Sequence, residues 1–102
     1  MYRASDEREH EEWLEALEDA ADRLGLGTEA RSRAADVFLS TVSEEGRSKR
    51  ATLAASLYVG ALVAGDQRSQ RSVADAADVS RLTVQQHWKE LLDAAGLDRP
   101  GW

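Results

Sequence analysis

The sequence predicts an all-α fold, a bundle of five helices that ends in a helix-turn-helix. Three observations carry this. Apolar residues recur at helical spacing in five segments, and no convincing strand pattern appears. The single proline, Pro100, lies near the end, so the rest of the chain is free of the strongest helix breaker. Gly25, Gly46, Gly65 and Gly96 stand where four of the segments stop. With 102 residues, the chain has the length of one domain, taken as residues 1–102. A chain of that size buries a modest core without staples.

The first segment spans about residues 6–24. Trp13, Leu14, Leu17, Ala20, Ala21 and Leu24 fall on one face, and Glu and Asp fill the others. Acids in its first turn complement the helix dipole. The second spans about residues 29–44, with Thr28 as an N-cap and Ala30, Ala34, Val37, Phe38, Thr41 and Val42 as its apolar stripe. The third, about residues 48–64, is apolar almost all round from Leu53 to Ala64. Such a helix belongs in the middle of a bundle, and Ala54, Ala55, Ser56, Gly60 and Ala61 leave room for close neighbours. The fourth and fifth, about residues 70–77 and 81–95, carry Ser69 and Ser80 as caps. Residues 97–102 read as an irregular tail.

Composition excludes several classes of function. There is no cysteine, hence no disulfide, no Cys-ligated zinc and no thiol catalysis. Apolar residues at 42% and charged residues at 31% describe a globular chain, not a disordered one. No apolar run approaches the ~18 residues of a membrane span. The first seven residues turn acidic without an apolar stretch, which argues against a signal peptide and for the cytoplasm. The two histidines, His10 and His87, have no metal spacing. Gly25-Leu26-Gly27 follows no strand and makes no phosphate loop. The expectation is a protein that is not an enzyme, with no cofactor, no metal and no small-molecule substrate.

Charge is unevenly placed. Residues 1–24 hold nine acids and three bases, and residues 25–102 hold ten of each, so the net charge of −6 resides in the first segment. Residues 47–89 carry seven bases against three acids. An acidic end with a mildly basic remainder is compatible with nucleic-acid binding. Eleven Arg against two Lys, with high acid content, resembles a halophilic composition. The acidic first helix then serves solvation, a basic partner, or repulsion of non-specific DNA.

The stretch from Gln70 to Trp88 reads as a helix-turn-helix, at about residues 69–95. Val73, Ala77, Val79 and Val84 sit where the two helices bury each other, and Ala74 is small where they cross. Asp78 falls where the turn needs a left-handed residue, which Asp tolerates. The exposed face of the last helix presents Arg81, Gln85, Gln86 and Lys89, side-chain types that reach base edges and phosphates. Two helices joined by a tight turn also occur as plain bundle scaffold. Trp13, Tyr58 and Trp88 read as packing residues. Arg47, Lys49 and Arg50, around Ser48, put cations at a helix start, against the dipole, where a phosphate would relieve them.

Residues from about Trp13 to Leu97 resemble one cyclin-type repeat of transcription initiation factor IIB and archaeal transcription factor B, most closely the second of that family's two repeats. The resemblance rests on Leu24-Gly25-Leu26, on Ala54-Ala55-Ser56-Leu57-Tyr58-Val59, on residues 65–74 and on residues 79–91. It implies a cyclin-like five-helix domain, double-stranded DNA as partner, and the TATA-binding protein as a further one. It places Ser80, Arg81, Thr83, Gln85 and Gln86 on base edges, and Arg47, Lys49, Arg50, Arg71, His87 and Lys89 on phosphates. With the halophilic composition, it implies a haloarchaeal origin. The chain departs from the family in having one repeat, no cysteine for a zinc ribbon, and Gln85 and His87 where the family commonly has Arg. A stand-alone DNA-binding regulator is the reading that follows. The alternative is a protein-interaction module of the transcription machinery that has lost DNA.

Overall fold

The structure is a computed structural model and describes residues 4–41 and 48–94, residues 4–10 and 94 by their backbone alone. Five helices follow in order: α1 (Ala4–Leu24), α2 (Thr28–Thr41), α3 (Lys49–Val63), α4 (Gln70–Ala77) and α5 (Arg81–Ala94). No strand occurs among the described residues. The expected continuation of α2 to residue 44, the tail, Arg47 and Trp102 lie outside the described residues, as does the side chain of His10.

Helix α3 is the centre. Its residues from Ala51 to Leu62 are all buried, and the other four helices pack against it. This is the arrangement its all-round apolarity predicts. Small residues let α2 come close: a β-carbon placed on Gly60 would lie 2.5 Å from the Ala34 backbone nitrogen. Ser48 caps α3 from outside, its Oγ accepting from Ala51 N at 3.3 Å.

The other helices bury the stripes their spacing predicts. From α1 come Leu17, Ala20 and Ala21, from α2 Ala30, Ala34, Val37 and Phe38, and from α5 Val84, Trp88, Leu91 and Leu92. Each large apolar side chain buried this way contributes about 1.5–3 kcal/mol. Trp13 is half-buried, and Tyr58 and Trp88 meet edge to face at 5.3 Å, all three as packing residues. Helix α2 starts one residue before the expected boundary. Gly27 takes the cap position, its carbonyl accepting from Arg31 N at 3.2 Å, while Thr28 is already helical.

Two corners of the bundle are tied together. Asp66, between α3 and α4, accepts from Gly27 N at 2.9 Å and pairs with Arg68 at 2.8 Å. Arg68 donates onward to the Leu24 carbonyl at 2.9 Å and the Gly25 carbonyl at 3.1 Å. The Gly27 N–H, and after it Arg68, hold the Asp66 carboxyl below the ordinary carboxylate range.

Candidate nucleic-acid interface

The helix-turn-helix is assembled by local chemistry. Ser69 begins α4, its Oγ accepting from Ser72 N at 3.0 Å. Helix α4 is amphipathic within eight residues and buries Val73, Ala74, Ala76 and Ala77. Asp78 then adopts the left-handed conformation, with φ 60° and ψ 47°. That turn returns the Val79 N–H to the Ala74 carbonyl at 2.9 Å and the Asp78 N–H to the Asp75 carbonyl at 3.3 Å, a Schellman closure. Ser80 begins α5, its Oγ accepting from Thr83 N at 3.2 Å and lying 2.9 Å from Thr83 Oγ1. Val73 and Val84 are fully buried, Ala77 nearly so, and Val79 is half-buried.

Burying Val84, Trp88, Leu91 and Leu92 turns a fixed side of α5 outward. Leu82, Gln85, Gln86 and Lys89 follow at helical spacing along it, and all four are exposed. Arg81 stands at its edge and donates to Gln85 Oε1 at 3.1 Å and to Gln70 Oε1 at 3.5 Å. This links the outer side of α5 to the start of α4. Arg71 is exposed in the first turn of α4, where its charge opposes the helix dipole.

The remaining expected site residues are arranged differently. Ser80 and Thr83 are engaged with each other at the head of α5. His87 is half-buried, and its Nδ1 is enclosed without a hydrogen-bond partner. Lys89 Nζ lies 5.6 Å from the Trp88 ring centroid. Lys49 is half-buried at the start of α3. Arg50 donates to the Ala77 carbonyl at 3.2 Å, and its guanidinium lies 5.4 Å from the centroid of the Trp13 ring.

Sequence reasoning missed Leu82, which is 54% exposed. The signal was available: Val84 on the buried side puts position 82 on the far side of the helix. The field of the site is mixed. Residues 70–94 carry Arg71, Arg81 and Lys89 against Asp75, Asp78, Glu90 and Asp93. No group of three or more His, Cys, Asp or Glu suited to a metal ion occurs among the described residues. No described helix is long and apolar enough to cross a membrane.

Residues 9–94 match the family model described as transcription factor TFIIB repeat. The chain is 36% identical over 83 residues to a transcription initiation factor IIB of Pyrococcus abyssi, covering 78% of this chain and 28% of that protein. It is 30% identical over 90 residues to transcription initiation factor IIB 2 of Thermococcus kodakarensis, covering 85% of this chain and 29% of that protein. Against a transcription initiation factor IIB of Haloarcula vallismortis it is 30% identical over 80 residues, covering 76% of this chain and 70% of that sequence. The chain thus spans less than a third of the length of the Pyrococcus and Thermococcus relatives.

Proposed function

This chain belongs to the transcription factor TFIIB repeat family, and on that premise we propose that it is a DNA-binding protein of a transcription apparatus, acting in the cytoplasm. One observation carries the reading. An exposed stripe on a firmly seated helix, Leu82, Gln85, Gln86 and Lys89, is presented by a helix-turn-helix with native capping at both helix starts. An α-helix fits the major groove of duplex DNA.

The roles divide by chemistry. Gln85 and Gln86 have the amide that pairs with the N6 and N7 edge of adenine, and Arg81 the fork that pairs with guanine. Ser80 and Thr83 stand where the head of α5 meets the groove. Leu82, with no polar atom to offer, suits a thymine methyl group. Arg71 and Lys89 contact phosphates and set the orientation, with Arg47, Lys49 and His87 as flanking contacts. A good bidentate base contact contributes about 1–3 kcal/mol of discrimination.

A second reading has its own support. The helix-turn-helix holds more acids than bases, and the described outer side of α1 presents Glu11, Glu12, Glu15, Glu18, Asp19 and Asp22. Both features weaken the sequence-independent attraction to phosphate. On this reading the domain is a protein-interaction module, with the TATA-binding protein as a candidate partner. Fluorescence anisotropy of a labelled duplex across a salt series decides between them. DNA reading predicts binding at low salt that weakens with added salt, at about 0.9 per phosphate contact on a log–log plot. Absence of binding by the folded protein at low salt contradicts it and leaves the protein-interaction reading.

A further inference from the structure

The last turn of α4 has four carbonyls that the helix itself cannot satisfy: Ala74, Asp75, Ala76 and Ala77. The first two are taken within the turn, by the N–H groups of Val79 and Asp78. The last two are taken by distant arginines. Arg23, at the end of α1, donates Nη1 to the Ala76 carbonyl at 2.9 Å across 53 residues of chain. Arg50, at the start of α3, donates Nη1 to the Ala77 carbonyl at 3.2 Å across 27 residues. Arg50 is braced in turn against the Trp13 ring of α1. Both are cations at a helix C-terminus, where the dipole favours them.

The two halves of the helix-turn-helix are therefore held by different means. Helix α5 is seated on α3 by large side chains, Trp88, Leu91 and Leu92. Helix α4 has eight residues, and of its four buried side chains three are alanines. A short helix with so little side-chain volume in the core depends on how its end is held.

We propose that Arg23 and Arg50 are positioning residues that fix α4 relative to α5. Arg71 opens α4, and Gln85 and Gln86 lie on α5, so the clamp sets the spacing between phosphate contact and base contact. Neither arginine touches DNA itself, and Arg50 leaves the phosphate-contacting set expected from sequence. The inference rests on the DNA-reading function proposed above.

The test uses Arg23→Met, Arg50→Met and the double variant, which keep the length of the stem and remove the N–H donors. Arg33→Met is the control: it removes the same charge from an exposed position on α2 that pairs with Glu29 at 3.9 Å. Each protein is titrated across salt against the duplex that the wild type selects from a random pool and against its scrambled counterpart. Amide residual dipolar couplings of the free proteins report the orientation of α4. Where circular dichroism shows the double variant unfolded, the single variants decide.

The clamp predicts that the ratio of selected to scrambled affinity falls roughly tenfold in the double variant, the scale of one lost base contact. The salt slope stays at the wild-type value, and the α4 couplings change while those of α3 and α5 hold. Arg33→Met alters none of these. A slope that drops by about 0.9 per removed arginine with an intact ratio makes them phosphate contacts and overturns the proposal. Unchanged ratio and couplings overturn it as well. A wild type that binds no duplex removes the DNA reading and the clamp's role together, whereas a binding wild type with indifferent variants removes the clamp alone.

Discussion

Helices α3 and α5 have nearly equal lengths, 15 and 14 residues, and pack against each other, yet their sequences answer to different constraints. Every direction around α3 is committed. Its buried run from Ala51 to Leu62 includes Thr52 and Ser56, so even its hydroxyl side chains are enclosed. Helix α5 is committed on one side, through Val84, Trp88, Leu91 and Leu92, and open on the other. Residues on α3 are chosen for volume, because interiors are close-packed and any misfit is felt. Residues on the open side of α5 are free of that demand and can be chosen for what they recognise.

The sharpest way to break this contrast is Gly60→Val. Its β-carbon would meet the Ala34 backbone at 2.5 Å from the nitrogen and 2.7 Å from Cα, and a backbone cannot swing aside as a flexible side chain can. Overpacking of this kind costs about 1–3 kcal/mol or more. The expected result is a thermal midpoint lower by about 4–24 °C for a domain of this size. An unchanged midpoint would show that α2 and α3 have room to part, and the contrast with α5 would weaken.

The two helices also differ in how legible they are in sequence. The central place of α3 follows from its all-round apolarity, and the start of α4, the left-handed Asp78 and the start of α5 follow from Ser69, Asp78 and Ser80, because these are local rules. The outward side of α5 followed from Val84 and Trp88. What sequence reading could not supply are contacts made with backbone atoms at long range. The Ala77 carbonyl that takes Arg50 looks like any other carbonyl in the chain, so from sequence Arg50 reads as a cation for a phosphate. Asp66 reaching Gly27 N across 39 residues is hidden for the same reason. Leu82 was overlooked on a different ground: a leucine invites assignment to the core until its position on the helix is counted.

A smaller effect tests the tie that leads from α3 into the helix-turn-helix. The Asp66 carboxyl is held low by Gly27 N–H and Arg68, so its folded pKa is below its unfolded one. The stability it contributes is present above the unfolded pKa and is lost as pH falls through the folded pKa. Asp66→Asn is expected to lower stability slightly at neutral pH and to flatten the loss of stability at acid pH, below the ordinary carboxylate range. Urea unfolding across pH measures both. Parallel acid limbs for the two proteins would show that the Asp66 contacts do not contribute to folding.

The smallest effect on folding is expected on the open side of α5, where substitutions change stability by no more than about 0.5 kcal/mol. The proposed function divides the work between that side and α4: Gln85 and Gln86 on α5 for base reading, Arg71 on α4 for sequence-independent attachment. The most direct measurement compares Gln85→Ala and Arg71→Ala with the wild type on a panel of duplexes across salt. Gln85→Ala is expected to change which sequences are preferred. Arg71→Ala is expected to weaken all sequences alike and to reduce the salt slope by about 1. Equal losses for both variants on every sequence would contradict this division of roles.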